Sequence, residues 1–478
     1  MNGNGKDDLI IAAVGTDYNS RNASGSIYIL YDSLLDDYVT KGNTLDLNSS
    51  TSYNVRIDGP AANGGVFQVE TQDINNDGTV DLLISGDAMD QNSRANSGSA
   101  YVLYNSIISG FTGTGNTLDL NTSTSYNLRI DGAVAGDRTG TYLGLTDIDQ
   151  NSKLDLFLSA WAFGGQGATY LIKDSILDDY TTTGNTIDLA TTSNFNVRWD
   201  GGSAISFGLG TPVKFGDLDS DDKQDLVFGS SYTDYNSRAD SGSSWIVFST
   251  LIDDYVGTGN VVNISTSANY NVRIDGSVAG NSLHHTPIGK IDTSGDDNLF
   301  LYEFPSLESG SIYMIGNSEL SAFSATTGNT LDLANTSHYN LKITSAGSDW
   351  PFSIALDDYT NDSYNDLVVG ANYADQNSRA ESGSTYILSG SNLNAYLSST
   401  GNTLNIASAS DYIYRIDGAV AADYTPYKYT SGDFNDDGVL DSVVSTQESD
   451  YNSRNNSGSV WLIYGYPHTC LLYTSRCV

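Results

Sequence analysis

The sequence predicts an all-β fold, a seven-bladed β-propeller of four-stranded antiparallel blades in which the terminal blades are incomplete. Two observations support this prediction. First, an oxygen-rich loop recurs at a nearly constant interval, which indicates an array of units too small to bury their own apolar faces. Second, short apolar runs flank each loop, and four short strands per unit are typical of a propeller blade. The ninth loop residues are Asp8, Asp81, Asp155, Asp225, Asn298, Asp366 and Asp441.

Each unit contains four predicted strands. Strand A precedes the loop, as at residues 142–145, and strand B follows it as an unbroken apolar run, as at residues 156–158. An unbroken run of this kind suits a strand that is covered on both faces. Strand C includes residues 98–104. Strand D is predicted as one longer strand across residues 118–130, whose alternation of apolar and polar residues is typical of a half-solvated outer strand.

The repeated loop has the chemistry of a calcium site. Carboxylate, amide or hydroxyl groups stand at positions 1, 3, 5 and 9, and Ca²⁺ takes six to eight oxygen ligands from a flexible loop. In the copy at residues 73–81, Gly78 at position 6 permits a sharp turn. The predicted metal-binding residues are Asp73, Asn75, Asp77, Thr79, Asp81, Asp147, Asp149, Asn151, Lys153, Asp155, Asp217, Asp219, Asp221, Lys223, Asp225, Asp358, Thr360, Asp362, Tyr364, Asp366, Asp433, Asn435, Asp437, Val439, Asp441, Asn2, Asn4 and Asp8.

One copy of the loop is altered and is expected to hold no ion. Its residues are Lys290, Asp292, Ser294 and Asn298, and the lysine ammonium can take the place of the cation. An EF-hand is excluded because it needs an acidic residue at position 12, where the other copies have Ile84, Leu158, Phe228, Val369 and Val444. The expected role of the ions is structural, because protein oxygens saturate the metal and leave no position for a substrate.

The order of these elements resembles the FG-GAP repeat of the integrin α-chain head and its bacterial relatives. The resemblance rests on the calcium loop, on strand B, on a bend such as residues 370–372, and on the Gly-x-Tyr-Val-Tyr type of strand C. It covers residues 2–465. It implies an interaction role at the face that carries the B–C and D–A loops.

A second motif, Asp-Tyr-Asn-Ser-Arg or a close variant, recurs between strands B and C. Because strands alternate in direction, its arginines are expected at the end of the blade opposite the calcium loops. One hypothesis makes them a surface for an anionic or glycan ligand. The alternative is an Arg–Asp or Arg–carbonyl clamp that closes each loop, which we favour because an Asp accompanies every Arg. The residues are Arg21, Arg94, Arg238, Arg379 and Arg454. The arginines of Arg56-Ile-Asp-Gly and its copies at Arg129, Arg273 and Arg415 are expected to point outward from a turn.

The composition narrows the environment and the partners. A net charge of −37 repels nucleic acid and anionic membranes, and no apolar run is long enough to span a bilayer. Residues 1–466 are expected to form the propeller. Residues 467–478 match no repeat and are expected to be foreign sequence, and the chain is expected to begin inside a calcium loop with its signal peptide not visible. Weak calcium sites fill at the levels found outside cells, so a secreted or cell-surface location is expected.

The functional prediction is a calcium-binding adhesion or interaction module that binds a protein or glycan ligand, does not insert into a membrane, and forms a monomeric part of a larger protein. A polysaccharide lyase or esterase on a calcium propeller is the competing hypothesis, and an architectural spacer is the third. The sequence contains no nucleophile with a base and no phosphate-binding loop, so no enzyme activity is expected.

Overall fold

The computed structural model describes residues 1–38, 42–66, 68–202, 208–210, 212–291, 296–304, 310–345, 353–451 and 453–465, apart from the side chains of residues 285 and 286. The predicted tail at residues 467–478 lies outside these ranges. So do Asp292 and Ser294 of the altered loop.

The described chain is almost entirely short strands and turns. The strands are β1 (Leu9–Ala13), β2 (Ser26–Leu30), β3 (Val55–Asp58), β4 (Gln68–Gln72), β5 (Asp81–Gly86), β6 (Ser99–Leu103), β7 (Asn116–Asp119), β8 (Leu128–Asp131), β9 (Thr139–Thr146), β10 (Asp155–Ala160), β11 (Ala168–Ile172), β12 (Asn185–Asp188), β13 (Val197–Asp200), β14 (Val213–Gly216), β15 (Asp225–Ser230) and β16 (Ser243–Val247). They continue as β17 (Asn260–Asn263), β18 (Val272–Asp275), β19 (Ser282–Gly289), β20 (Asn298–Phe304), β21 (Ser311–Ile315), β22 (Asn329–Asp332), β23 (Leu341–Thr344), β24 (Ser353–Asp357), β25 (Asp366–Ala371), β26 (Ser384–Leu388), β27 (Asn402–Asn405), β28 (Tyr414–Asp417), β29 (Tyr429–Gly432), β30 (Asp441–Thr446) and β31 (Ser459–Ile463).

Helical structure is limited to single turns. The α-helices are α1 (Asp32–Leu35), α2 (Asn105–Ile108), α3 (Asp174–Leu177), α4 (Ser249–Ile252), α5 (Asn317–Leu320) and α6 (Gly390–Asn394). The 3₁₀ turns are Asp36–Tyr38, Ser123–Ser125, Phe163–Gly165, Thr192–Asn194, Ser267–Asn269, Ser321–Phe323, Thr336–His338 and Ala395–Ser398. Each α-helix follows a strand C directly.

The strands form seven small, mainly antiparallel sheets, and the fold is a seven-bladed β-propeller, which confirms the predicted fold class. The chain divides into two compact units, Met1–Ile288 with Gly316–His338 and Gly289–Ile315 with Tyr339–Val478. The first unit contains the sheets β1-β2-β3-β7, β4-β5-β6-β8-β12, β9-β10-β11-β13-β17 and β14-β15-β16-β18-β22. The second contains β20-β21-β23-β27, β24-β25-β26-β28 and β29-β30-β31. Strand β19 lies in the first unit except for Gly289.

The predicted single strand D is wrong. In the repeat that contains residues 118–130, β7 and β8 are separate strands on either side of the Ser123–Ser125 turn. Strand β8 pairs antiparallel with β6 of its own repeat, whereas β7 pairs in parallel with β3 of the preceding repeat. Apolar and polar residues alternate in both β7 and β8, so the sequence pattern does not show where one strand ends and the next begins. The later repeats pair β12 with β8, β17 with β13, β22 with β18 and β27 with β23 in the same parallel way.

Strands B and C form the centre of each complete sheet. All six residues of β10 and all five of β11 are buried, and their side chains pack on both faces. The buried side chains of the second repeat join those of the third in one apolar cluster that includes Leu158, Tyr170 and Phe195. The prediction that strand B is covered on both faces is therefore confirmed.

An asparagine just before strand D connects three parts of the fold. Asn271 is 2% exposed, and its Oδ1 accepts a hydrogen bond from the backbone N–H of Phe248 at 2.9 Å. Its Nδ2 donates to the carbonyl of Thr326 in the next repeat at 3.1 Å. The side chain therefore joins the end of strand C, the start of strand D and the following repeat. Asn54, Asn127 and Asn196 accept the equivalent backbone hydrogen bond.

We expect Asn271→Ala to lower the free energy of unfolding by about 1–3 kcal/mol, because it leaves the backbone N–H of the buried Phe248 without its hydrogen-bond partner. Denaturant titration followed by circular dichroism measures this change. The control is Asn121→Ala, since the Asn121 side chain is exposed and this variant should unfold like the parent. Equal stability of the two variants would contradict the connecting role of Asn271.

Candidate metal centres

The loop at residues 217–225 is closed by hydrogen bonds from its own backbone. The carboxylate of Asp217 at position 1 accepts the N–H of Asp221 at 3.1 Å and that of Asp222 at 2.9 Å. The carboxylate of Asp221 at position 5 accepts the N–H of Lys223 at 2.9 Å. Turns of this kind point several carboxylates toward the inside of one loop. The position 1 residues Asp73, Asp147, Asp358 and Asp433 accept the same pair of backbone hydrogen bonds.

In the loop at residues 217–225, the position 9 aspartate is the most buried of the predicted ligands. Asp225 is fully buried, and its Oδ2 accepts the N–H of Leu218 at 2.8 Å. Its Oδ1 accepts the N–H of Ser249, the first residue of α4, also at 2.8 Å. One carboxylate therefore fixes both the start of its loop and the helix that follows strand C.

The same bond to the residue after strand C recurs in five more repeats, where the donors are Asp32, Asn105, Asp174, Gly390 and Gly465. The sequence analysis did not identify these donors. A constant spacing in the sequence could have identified them. The donor stands 24 residues after the position 9 aspartate in five repeats, those of Asp8, Asp81, Asp225, Asp366 and Asp441.

Two loops bring three carboxylates to one point. Asp217, Asp219 and Asp225 each place a carboxylate oxygen within 4.8 Å of the other two, and Asp147, Asp149 and Asp155 do the same. The Oδ1 atoms of Asp219 and Asp149 are buried and have no hydrogen-bond partner. A buried carboxylate oxygen without a partner is costly unless a cation neutralises it. The donor set and these two oxygens therefore fit a divalent metal ion.

The remaining predicted loops have no carboxylate at position 3. Position 3 is Asn75, Thr360 or Asn435 in these copies, and each of these side chains offers a neutral oxygen. In the first copy, the N-terminal ammonium of Met1 lies 2.8 Å from Oδ2 of Asp8. Of the altered copy, the structure describes Lys290, which is exposed, and Asn298, which is buried.

Burial raises the pKa values of the clustered carboxyl groups. Loss of solvent raises the pKa of Asp225 to about 8 and that of Asp155 to about 7, although backbone hydrogen bonds act in the opposite direction. The pKa of Asp219 rises to about 6 through burial and through the nearby charges of Asp221 and Asp217. In another loop, burial raises the pKa of Asp81 to about 6. Each increase in pKa shows that the ionised carboxylate is disfavoured in the loop when no cation is bound.

Lysines compete for the carboxylates at one of the two clusters. Nζ of Lys173 lies 3.0 Å from Oδ2 of Asp149, so this cluster already has a positive charge beside it. The position 7 lysines turn away from the clusters. Lys153 pairs with Asp178, and Lys223 pairs with Asp253 at 2.7 Å. The cluster of Asp217, Asp219 and Asp225 therefore has the larger uncompensated negative charge.

Three arginines of the second motif join neighbouring repeats, and a fourth binds within its own repeat. Nη2 of Arg21 lies 2.7 Å from Oδ1 of Asp119, which is the last residue of the parallel strand β7. Arg94 pairs with Asp188 on β12 at 2.7 Å, and Arg238 pairs with Asp332 on β22 at 2.6 Å. Nε of Arg379 donates to the carbonyl of Gly418 at 2.9 Å.

The arginines thus form the expected type of clamp, with an aspartate or a carbonyl as partner. The aspartate that pairs with the arginine is not the one in the motif itself. The motif aspartates Asp17, Asp90, Asp234, Asp375 and Asp450 accept backbone N–H groups of their own loops. The ligand-binding hypothesis for Arg21, Arg94, Arg238, Arg379 and Arg454 stays a prediction.

The prediction that the strand D arginines point outward is wrong. Arg56 forms a two-pronged pair with Asp58, with Nε 2.7 Å from Oδ1 and Nη2 3.0 Å from Oδ2. Its guanidinium carbon lies 3.5 Å from the ring centroid of Tyr18. The stacking tyrosine comes from the Asp-Tyr-Asn-Ser-Arg loop, so the local pattern of strand D could not reveal it. Arg129, Arg273 and Arg415 make the same pair with Asp131, Asp275 and Asp417.

These features define a class of protein, a β-propeller whose blades carry acidic loops that could hold metal ions. The comparisons with known proteins agree with this class. Residues 350–388 match the model of the FG-GAP repeat, and this match together with the seven-bladed fold fits the FG-GAP and integrin α-chain propeller family. No curated protein matches the chain.

The described part of the chain contains no helix that is long and apolar enough to cross a membrane. Its α-helices have four or five residues each.

We expect the free energy of unfolding of the calcium-free protein to rise as the pH falls from about 8 to about 5, because the buried carboxyl groups take up protons in this range. A raised pKa means that the folded state holds a proton that the unfolded state has lost, so Asp225 contributes more stability as the pH falls through about 8. Denaturant titrations with a chelator across this range measure the effect. The Asp225→Asn variant should show a smaller rise than the parent, and an unchanged slope would contradict the assignment.

Proposed function

We propose that this chain is a calcium-stabilised propeller that acts as an interaction module outside the cell or at its surface. The observation that carries the proposal is the cluster of Asp217, Asp219 and Asp225, whose carboxylates converge within 4.8 Å. Asp219 adds a buried oxygen without a hydrogen-bond partner. The FG-GAP match supports the interaction role, and the loops support the metal.

Calcium suits these loops better than the common alternatives. The predicted ligands are carboxylate, amide, hydroxyl and carbonyl oxygens, which favour hard cations over zinc or copper. Ca²⁺ accepts irregular arrangements of six to eight oxygens, whereas Mg²⁺ demands a nearly ideal octahedron and retains several waters. A loop with several carboxylates and a backbone carbonyl at position 7 fits the first description. When bound, the ion would neutralise the loop carboxylates, and Asp217 and Asp219 would hold it beside the buried Asp225.

The proposed interaction role depends on which loops of each blade remain available for a ligand. In each sheet the acidic loops lie at one end, and the B–C and D–A loops lie at the other. If the ions are structural, ligand binding falls to the second set of loops. A protein or glycan ligand is proposed, since the strong negative charge of the chain disfavours nucleic acid.

Calcium should raise the thermal stability of the protein. At a free calcium concentration a hundredfold above the dissociation constant, one site adds about 2.7 kcal/mol to the free energy of unfolding. Calorimetry of the full chain with calcium, with magnesium and with a chelator tests this expectation. No change in melting temperature between calcium and chelator would refute the calcium part of the proposal.

The Asp219→Asn variant should separate the two roles of the carboxylate. It relieves repulsion among Asp217, Asp219 and Asp221, so the calcium-free variant should melt no lower than the calcium-free parent. It also weakens the ion site, so the stabilisation by calcium should shrink. Asp254→Asn is the matched control, because Asp254 is exposed and lies outside every loop cluster. A full calcium response in Asp219→Asn would contradict the site.

A further inference from the structure

The residue that directly follows strand C is charged in the third repeat and uncharged in the other six. In the third repeat it is Lys173, which follows β11. This position lies beside the acidic loop of its own repeat, because the next residue, Asp174, bonds to the position 9 aspartate Asp155. Lys173 therefore brings a positive charge to a place where the equivalent residues bring none. Those residues are Tyr31, Tyr104, Phe248, Gly316, Ser389 and Tyr464.

Hydrogen bonds on both sides fix the backbone at Lys173. Its own N–H donates to Oδ1 of Asn196, just before strand D, at 2.8 Å. The N–H of Asp174 donates to Oδ1 of Asp155 at 2.9 Å. Both acceptor side chains are buried. The lysine side chain therefore starts from a fixed point at the edge of the loop at residues 147–155.

The ammonium group of Lys173 reaches the candidate metal site. Its Nζ lies 3.0 Å from Oδ2 of Asp149, the position 3 residue, and the lysine side chain is 18% exposed. Carboxylate oxygens of Asp147, Asp149 and Asp155 lie within 4.8 Å of one another. An ion pair that is mostly buried is screened less by salt than a surface pair is. Lys173 therefore supplies positive charge to the same carboxylates that would hold a metal ion.

The loop at residues 217–225 provides an internal comparison. Both loops have aspartate at positions 1, 3 and 9 and lysine at position 7. Both position 7 lysines pair with the aspartate that follows the next helix, so they do not distinguish the loops. After strand C, however, the fourth repeat has the fully buried Phe248 in place of Lys173. At position 5 it has Asp221 where the third repeat has Asn151. Both differences make the loop of the third repeat less negative.

We propose that the ammonium group of Lys173 is the resident cation of the loop at residues 147–155, and that calcium enters this loop only by displacing the lysine from Asp149. This inference rests on the proposed calcium binding and states the order in which the loops respond to the ion. The loop at residues 217–225 binds calcium first. The loop at residues 147–155 is organised by the lysine until the calcium concentration is higher.

Electrostatic repulsion makes the two cations alternatives. A calcium ion held by Asp149 would lie close to Nζ of Lys173, and like charges at short separation repel strongly where little water screens them. The four-carbon stem of lysine is flexible, so the ammonium group can move aside. Its displacement breaks a charged hydrogen bond. The loop should therefore bind calcium about tenfold to a hundredfold more weakly than it would without the lysine.

Titration of the full chain with calcium by isothermal calorimetry tests the order of filling. Lys173→Met removes the charge and retains most of the side-chain length, so this variant should bind one more calcium ion tightly than the parent does. Lys173→Arg retains the charge and should titrate like the parent. The matched control is Lys214→Met, which removes an exposed lysine on β14 of the same unit. No gain in Lys173→Met, or an equal gain in Lys214→Met, would overturn the proposal.

A double variant locates the gained site. Asp219→Asn weakens the loop at residues 217–225 but leaves the loop of the third repeat intact. The double variant Lys173→Met/Asp219→Asn should therefore bind one more calcium ion tightly than Asp219→Asn alone, and equal binding by the two would overturn the assignment. Lys173→Gln, which has a polar end without a charge, should show the same gain and replaces Lys173→Met if that variant does not fold.

Melting curves with a chelator test the resident cation without calcium. Under these conditions Lys173→Met should melt at a lower temperature than Lys214→Met, because Asp149 loses its counter-charge. The difference should vanish when both substitutions are made in the Asp149→Asn variant, since the two residues act as a pair. An undiminished difference in Asp149→Asn would refute the role of Lys173 as the resident cation.

The two measurements also separate this inference from the proposed function. Calcium binding by the parent that is unaffected by Lys173→Met would refute this inference alone. If neither the parent nor Lys173→Met binds calcium, the calcium part of the proposed function is refuted together with the displacement of the lysine. The melting curves with a chelator then decide whether Lys173 is the resident cation.

Discussion

The structure depends on the position 9 aspartate, which six of the seven repeats contain. Its two oxygens accept backbone hydrogen bonds from the start of the acidic loop and from the residue that follows strand C, as Asp225 does with Leu218 and Ser249. A carboxylate in this position fixes where strand B begins and where strand C ends. Its burial raises its pKa, so the fold carries an electrostatic cost at the same point that organises it. At Asp155 the charge of Lys173 offsets part of that cost.

The second constraint connects one repeat to the next. Parallel strands such as β7 extend the preceding sheet, and Arg21 pairs with Asp119 at the end of that strand. A repeat therefore cannot complete its own sheet, and its outer strand comes from the repeat that follows it. This arrangement explains why motifs separated by about one repeat length contact each other although both look like local surface features.

The sequence was sufficient for the elements that depend on local chemistry. The period of the loop residues predicted seven units, and the unbroken apolar run at residues 156–158 predicted a strand that is buried on both faces. It was insufficient where a side chain finds its partner in another repeat. Alternation across residues 118–130 is equally compatible with one strand or with two, and only the pairing with β3 distinguishes them. Arg56 looked exposed because Tyr18, on which it stacks, lies in a distant loop.

The same limit applies to the candidate site. The loop pattern predicted oxygen ligands, but it did not distinguish Asp219, which has no nearby lysine, from Asp149, which has Lys173 beside it. Because the repeats are built alike, a difference between two repeats shows which side chain changes the charge of a loop. The pair between Lys173 and Asp149 leaves the cluster of Asp147, Asp149 and Asp155 less negative than the cluster of Asp217, Asp219 and Asp225.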